Sequence, residues 1–208
     1  MNIMPGTSKR MTNLFCLILF IITLVANLTV NFEAHAGIYY QHSFNIDHTN
    51  DNAENFSFDT MKNFMCLGAT VGQDQNIVIA HSAIFWSKNN KSSADATGSK
   101  FSLLEMGPRF IYYFNEAKTV AATVAYHPYV RGTRTLSSAG ATAEKISGNS
   151  YFGGFSYQLR MSKVFYIGAA LIYHVVNITE SNVGETNTTV SNTYTSYFPV
   201  LEFSIRFK

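Results

Sequence analysis

A two-residue alternation of apolar side chains with polar or small ones runs through most of the chain after Gly37. A period of two is typical of β-strands, because successive side chains point to opposite faces. Most of the alternating segments match the roughly 9–11 residues that a tilted strand needs to cross a bilayer. Eight such segments can be counted, at roughly 38–46, 61–72, 76–87, 101–114, 119–131, 150–161, 164–177 and 193–207.

The stretches between these segments are alternately long and short. Short turns on one side and longer loops on the other are typical of outer-membrane barrels, whose short turns are periplasmic. The pattern predicts an all-β fold, an eight-stranded antiparallel up-and-down transmembrane barrel with four extracellular loops and both termini in the periplasm. The long polar stretches are 47–60, 88–100, 132–149 and 178–192, and the short ones are 73–75, 115–118 and 162–163.

The first 36 residues resemble a targeting segment. Lys9 and Arg10 precede an apolar run at 14–25, and small residues at 34–36 precede Gly37. This order of positive, apolar and small residues is typical of a cleaved signal peptide. The alternative is a single helical anchor, but polar residues interrupt the run before the roughly 20 apolar residues that a span needs. We therefore expect a signal peptide at 1–36 and a barrel at 37–208.

The low charge of the chain supports a membrane location. Charged residues make up 13% of the chain, about half of the roughly 25% that is usual in soluble proteins. The formal net charge is only +2 and no basic run is present, so we expect no nucleic-acid partner. An exported chain without a second apolar helical stretch favours a closed barrel, because a closed barrel satisfies every backbone group in lipid.

A few charges within the predicted strands indicate which face of the barrel is lipid-facing. A soluble lipocalin is also an eight-stranded barrel, but its apolar face points inward and its charges point to water. Here each strand charge shares a face with small or polar residues, while the opposite face carries no charge. An Arg or Lys on the lipid face near the bilayer midplane costs about 2–4 kcal/mol. We therefore place these charges in the barrel interior: Glu105, Arg109, Arg160, Glu202 and Arg206.

Two interpretations of this interior set remain open. The charges could form a structural polar plug, or they could line a gate or narrow conducting path. An eight-stranded barrel has an interior just wide enough for side chains to fill, which favours the plug. Buried charges should then pair with one another, because removing one partner of a buried pair is strongly destabilising.

Other residues give weaker indications. His127 and His174 are predicted to face inward on strands that are not neighbours. Catalysis would need a serine and an acid within hydrogen-bond reach of a histidine, and no such motif is visible, so we predict no enzyme, no cofactor and no metal site. Pro128 predicts a bulge or strand end, with Val130 on the lipid face. Cys66 is predicted to pack inward.

Two registers stay open in the sequence. In 76–87 both faces are apolar, so the inward face cannot be chosen. In 38–46 the more apolar face also carries His42, whose orientation is unexplained.

The stretches "GPRFIYYF" and "LEFSIRF", together with the strand pattern, resemble the small eight-stranded outer-membrane proteins of Gram-negative bacteria, a group that includes the OmpA barrel, OmpX and NspA. The resemblance covers 37–208. It implies a monomer that contacts outer-membrane lipid and lipopolysaccharide and that the barrel-assembly machinery inserts. The last strand would carry the insertion signal for that machinery at Leu201, Phe203, Ile205 and Phe207.

The function that this sequence favours is a structural or surface-interaction role, such as adhesion or host contact, carried by the four polar loops. One alternative is a narrow channel for small or hydrophobic solutes, as in OmpW-type barrels. A less favoured alternative is an enzyme that modifies lipid A.

Overall fold

The computed structural model describes residues 37–51, 56–92, 99–135, 142–184 and 186–207. The predicted signal peptide at 1–36 lies outside this range. The described chain consists of eight strands, and no helix in it is long and apolar enough to cross a membrane. The strands are β1 (Gly37–Asp51), β2 (Phe56–Val71), β3 (Ile77–Ser92), β4 (Ser99–Tyr113), β5 (Val120–Thr135), β6 (Glu144–Arg160), β7 (Phe165–Val183) and β8 (Thr186–Arg206).

The strands form a closed barrel in sequence order, and each pairs antiparallel with the next. The ring closes where β1 pairs with β8. The predicted eight-stranded up-and-down fold is therefore confirmed. We call the end with the turns 72–76, 114–119 and 161–164 the turn end, and the opposite end the rim. The described chain begins and finishes at the turn end, at Gly37 and Phe207.

At the turn end the strands stop within about two residues of the predicted positions, because the turns there are tight. Gln75 and Lys118 adopt positive φ angles of 52° and 54°. Lys118 N donates to the Asn115 carbonyl at 2.9 Å. The Asn115 side chain also accepts from the backbone of Thr119 at 2.9 Å, which fixes the turn before β5.

At the rim the strands run much further than the apolar alternation indicates. Most of the predicted loop 178–192 is a hairpin formed by β7 and β8. Polar side chains support these extensions: Thr193 Oγ1 donates to Asn177 Oδ1 at 3.0 Å, and Ser147 Oγ donates to Glu180 Oε2 at 2.9 Å. The predicted long loops are thus largely strands outside the apolar zone, and their tips fall outside the described residues.

The closing pair β1–β8 is short, with only six residue pairs, between Tyr39–Phe44 and Leu201–Arg206. Asn45 Nδ2 donates to the Pro199 carbonyl at 2.9 Å, so that carbonyl faces β1. In antiparallel strands the N–H and C=O of one residue point to the same neighbour. Pro199 therefore lacks a donor on the β1 side, and the pairing stops there. Above this point no pairs between the two strands are found among the described residues, and we call this unpaired stretch the seam.

The exterior of the barrel is apolar through its central band, as a lipid-facing surface must be. Tyr173 and Tyr197 pack against each other on the outer surface, toward the rim, with ring centroids 4.6 Å apart. Phe110, Tyr112 and Phe114 are exposed toward the turn end. These positions fit two aromatic girdles. Other exposed apolar side chains include Ile38, Leu67, Ile79, Val124, Phe155, Leu159 and Leu171.

The structure decides the two open registers. Val78, Ala80, Ser82, Ile84 and Trp86 of β3 are buried in the interior, while the alternate residues face outward.

On β1 the buried residues are Tyr39, Gln41 and Ser43. His42 therefore faces outward, and its ring lies 6.4 Å from that of Phe44. Its Nε2 has no hydrogen-bond partner among the described residues.

The bulge predicted at Pro128 is confirmed, since the pairing register of β5 shifts at this residue against both neighbouring strands, β4 and β6. The extra residue reverses the alternation beyond it. Val130 is 1% exposed and Tyr129 is 39% exposed. The predicted lipid-facing position of Val130 is therefore wrong, because the sequence register was continued through the bulge.

Two layers of side chains fill the interior. The layer toward the rim is apolar and includes Phe64, Ile84, Trp86, Phe152, Ile172 and Phe198. The layer toward the turn end combines a smaller apolar cluster, with Cys66 in the inward position that the sequence predicts, and most of the interior charges.

Candidate functional site

A polar network occupies the turn end of the interior, centred on Arg206 near the end of β8. The Arg206 guanidinium lies 3.8 Å from the ring of Tyr166 and 4.3 Å from the ring of Tyr113. It donates to Gln158 Oε1 and, at 3.0 Å, to the carbonyl of Lys118. The cation is therefore held between aromatic faces and neutral oxygens.

Gln158 connects Arg206 to Glu202. Its Nε2 donates to Glu202 Oε2 at 2.8 Å, and its Oε1 also accepts from Ser204 Oγ at 3.0 Å. Gln158 and Glu202 are each 1% exposed. Because an amide both donates and accepts, one glutamine bonds a carboxylate on one side and a guanidinium on the other.

Arg109 lies deeper in the barrel, and its described partners are also neutral. Its Nε donates to Thr123 Oγ1 at 2.8 Å, and its Nη1 lies 3.7 Å from Cys66 Sγ. The guanidinium carbon is 5.2 Å from the ring of Phe152. Arg109 thus contacts the layer toward the turn end through Cys66 and the apolar layer above it through Phe152.

Glu105 is the centre of a second cluster, in the middle of the interior. His174 Nε2 lies 2.9 Å from Glu105 Oε2, and His127 Nδ1 lies 3.6 Å from it. Ser150 Oγ donates to the same oxygen, and Ser82 Oγ lies 2.7 Å from His127 Nε2. All five side chains are at most 2% exposed.

This cluster contains the serine, histidine and carboxylate that hydrolytic triads use. A nucleophile also needs a space where the reacting atom of a substrate can sit. The cavities at the two ends of the described barrel are lined by none of these five residues, so the arrangement is a buried hydrogen-bond network. Within the described chain, no group of three or more His, Cys, Asp or Glu side chains is arranged to hold a metal ion.

Four of the five predicted interior charges, Glu105, Arg109, Glu202 and Arg206, are buried in the lumen. Their expected mutual pairing is wrong: within the described barrel, neither carboxylate forms a salt bridge with either guanidinium. Histidine, glutamine and hydroxyl groups, together with aromatic rings, contact them instead.

Arg160 departs from the prediction in its position. It ends β6, and its side chain is exposed at the turn. Its Nε donates to the Ser162 carbonyl at 2.9 Å and its Nη2 donates to the Lys163 carbonyl at 3.4 Å. By alternation along β6 the Arg160 side chain would point inward, as that of Gln158 does. It lies at the strand end, however, where the turn carbonyls and water are within reach.

The four residues of the proposed insertion signal share the outer face of β8. Leu201 and Phe207 are 52% and 51% exposed. Phe203 and Ile205 are partly buried, and the Phe203 ring stacks on Phe44 with a centroid distance of 6.0 Å. The strand therefore presents a continuous apolar stripe to its surroundings.

A cavity of about 430 Å³ lies inside the rim, behind the seam. We call it the vestibule. It borders strands β1, β2, β3 and β8, and its lining combines lysines, hydroxyls and aromatic rings. The lining residues are Asn45, Asp47, Thr60, Lys62, Trp86, Lys88 and 193–198.

Sequence reasoning missed several residues of these networks. Gln158 and Ser150 carry no charge, so nothing distinguished them from other small or polar interior residues. Lys62 could have been found, because it alternates onto the same face as Phe64 and Cys66. It is 2% exposed and lies at the vestibule.

No protein-family model matches the chain, and no curated protein sequence matches it. Solved structures do match. Neisserial surface protein A (NspA) is 15% identical, with a TM-score of 0.45, over 83% of this chain and 98% of its own. NspA is one of the small barrels that the sequence resembles.

Two further solved structures also match over nearly their whole chains. Ail, the attachment invasion locus protein of Yersinia pestis, solved with the heparin analogue sucrose octasulfate, is 16% identical, with a TM-score of 0.41, over 84% of this chain and 97% of its own. The translocator domain of the autotransporter NalP from Neisseria meningitidis is 6% identical, with a TM-score of 0.38, over 96% and 98%. Such similarities concern the fold alone.

Proposed function

We propose that the chain is an integral outer-membrane barrel whose interior is a structural plug and whose activity is surface interaction at the rim. The observation that carries this proposal is the combination of an apolar exterior with a lumen filled by two side-chain layers. Such an exterior is stable only against lipid. A filled lumen leaves the polar rim as the part available to other molecules.

The packing of the lumen argues against a conducting path. Phe64 packs against Phe152 and Phe198, with ring centroids 5.6 and 5.8 Å away, across the middle of the barrel. Directly below this layer, Glu105 joins side chains from opposite walls. A solute would have to displace both layers, and close-packed interiors resist such displacement.

The rim supplies the surface for a partner. Its strands extend past the apolar band, and the longest extension is the β7–β8 hairpin. Most residues of 186–197 are exposed or half-exposed, and they are mainly Thr, Asn, Ser and Tyr. Exposed hydroxyl, amide and Tyr groups are typical of adaptable contact surfaces. The hairpin is therefore the part of the rim that we expect to contact a host or environmental surface.

The remaining parts of the proposal concern biogenesis. Residues 1–36 are a signal peptide removed in the periplasm, both termini stay on that side, and the barrel is a monomer surrounded by lipopolysaccharide and lipid. The stripe Leu201, Phe203, Ile205 and Phe207 addresses the chain to the barrel-assembly machinery. We expect N-terminal sequencing of the protein from outer membranes to begin at Gly37. An intact N-terminus would contradict the assignment.

Single-channel recording tests the plug against the channel. We expect the purified protein in a planar bilayer to show no conductance steps. Conductance steps that disappear in Arg109→Ala or Glu202→Ala would contradict the plug and favour the channel. Heat-modifiable gel migration of the same preparation establishes that the recorded protein is a folded barrel.

Surface interaction is tested by shortening the β7–β8 hairpin. Cells that express a variant lacking 180–189 should bind host cells or matrix less than cells with the full chain. A matched variant with Ala at Glu116 of a short turn leaves the rim intact and should bind like the full chain. Equal binding by all three would remove the hairpin from the proposed function.

A further inference from the structure

The vestibule contains a buried lysine near its floor. Lys62 is 2% exposed although it lines a cavity that opens at the rim. Its Nζ donates to Ser196 Oγ at 2.7 Å and lies 3.8 Å from the Phe198 ring and 4.5 Å from the Trp86 ring. Among the described residues no carboxylate lies within salt-bridge distance of this ammonium.

Two neutral donors beside Lys62 have no hydrogen-bond partner in the described chain. Thr60 Oγ1 and Trp86 Nε1 are buried, and neither has a hydrogen-bond partner among the described residues. Both residues line the vestibule, and they are 8% and 6% exposed. Buried polar groups in folded proteins are normally hydrogen-bonded. Two unpartnered donors beside a lysine at one end of a cavity favour an acceptor of negative charge.

The remaining lining supports the same ligand chemistry. Lys88 lies opposite Thr60 in the strand pairing, and Thr60 lies opposite Asp47. Asp47 is the carboxylate of the lining, and it is exposed, two positions closer to the rim than the level of Lys62. Hydroxyls of 193–196 and the rings of Tyr194 and Trp86 form the rest of the wall. Hydroxyl groups and aromatic faces are the groups that hold a sugar.

We propose that the vestibule binds a phosphorylated saccharide, with its phosphate oxygens at Lys62, Thr60 and Trp86. An ionised acceptor makes stronger hydrogen bonds with such donors than a neutral one. A volume of about 430 Å³ exceeds the requirement of a phosphate ion and accommodates an attached sugar. The seam, where β1 and β8 are no longer paired beyond Phe44 and Leu201, is the side from which a membrane-held ligand would enter.

The ligand has two possible sources. It is either a soluble sugar phosphate that enters at the rim or the phosphorylated headgroup of an outer-leaflet glycolipid that enters through the seam. The shared chemistry is the phosphate ester, and the experiment below separates the two sources.

The chain carries a built-in reporter, because Trp86 is its single tryptophan. Folded protein in zwitterionic detergent is titrated with inorganic phosphate and with glucose 1-phosphate at constant ionic strength. The same measurement is made in nanodiscs with and without a phosphorylated glycolipid. We expect a saturable change in Trp86 fluorescence. A change with the soluble probes assigns the free source, and a change only in glycolipid nanodiscs assigns the headgroup.

Matched variants localise the site. Lys62→Met should weaken the apparent affinity at least tenfold, while Lys163→Met removes the same charge at an exposed turn and should leave it unchanged. Thr60→Val keeps the charge and should weaken binding several-fold, which covers the case in which Lys62→Met does not fold. No saturable change with any probe, or unchanged affinity in folded Lys62→Met, overturns the proposal.

Discussion

His174 Nε2 and Glu105 Oε2 lie 2.9 Å apart although 69 residues separate them in the chain. Glu105 is on β4 and His174 is on β7, and these strands are not neighbours in the ring. The contact therefore crosses the lumen. Together with Ser150 on β6 and His127 on β5, it joins four strands at one carboxylate, which makes Glu105 the main polar link between opposite walls.

Replacing Glu105 with Ala should destabilise the barrel strongly. The substitution removes the acceptor that His174 and Ser150 share, while His127 keeps its contacts with Ser150 and Ser82. Breaking a buried charged network by removing one member costs about 3–5 kcal/mol. Urea unfolding in detergent, followed by heat-modifiable gel migration, measures the loss. Glu105→Gln keeps one acceptor oxygen and should lose less.

Glu116→Ala is the control for this prediction, because Glu116 is an exposed carboxylate in the turn before β5. A surface substitution of this kind usually stays within about 0.5 kcal/mol of the parent. If Glu105→Ala unfolded at the same urea concentration as Glu116→Ala, the central role of the carboxylate would be refuted.

Arg206 and Arg160 should respond differently to the same truncation. Arg206→Ala removes contacts with two tyrosine rings and the bond to Gln158. Desolvated cation–π contacts and charged hydrogen bonds are each worth about 2 kcal/mol, so the loss should be at least about 2 kcal/mol. Arg160→Ala removes only exposed bonds to turn carbonyls, and its effect should stay within about 0.5 kcal/mol.

Arg206→Lys refines this test, since it keeps the charge but not the planar group that stacks on the rings. An intermediate stability is expected in the same urea titration. Equal losses for Arg160→Ala and Arg206→Ala would mean that the interior network does not depend on Arg206.

The sequence predicts the barrel well because lipid imposes a simple rule on every strand. A lipid-facing residue must be apolar, so alternation reveals the strands, and tight turns reveal one set of ends. The rule ends where the lipid ends. Polar extensions such as 178–183 of β7 pair by backbone bonds that any residue can make, so alternation of apolar residues could not detect them.

The interior was predicted less completely, because contacts across the lumen depend on strand register. The bulge at Pro128 moves Val130 inward, and a proline identifies such a bulge without giving its direction. The neutral partners of the charges, such as Gln158, cannot be distinguished in the sequence from other polar residues of the interior. Arg160 is exposed because it is the last residue of β6, although alternation along the strand would point its side chain inward.

Leu201→Arg should destabilise the membrane-embedded barrel through its outer face. Leu201 is 52% exposed on the apolar exterior and lies opposite Ala169 and Phe44. A lipid-facing arginine near the midplane costs about 2–4 kcal/mol. Thr188→Arg, on the extension of the same strand, should be neutral. Reversible unfolding from lipid bilayers measures both. A neutral Leu201→Arg would mean that this face does not contact the bilayer core.

Pro199→Val should close part of the seam. Valine restores a backbone N–H on the side that faces β1, where Asn45 now binds the carbonyl, and it fits an extended strand. The β1–β8 ladder can then continue beyond Phe44 and Leu201. Hydrogen exchange should therefore slow at the amides of β1 next to Asn45, while amides in the regular part of the β6–β7 pair, between Gly148 and Arg160, stay unchanged. Exchange that is equally fast in both proteins would show that proline is not what ends the pairing.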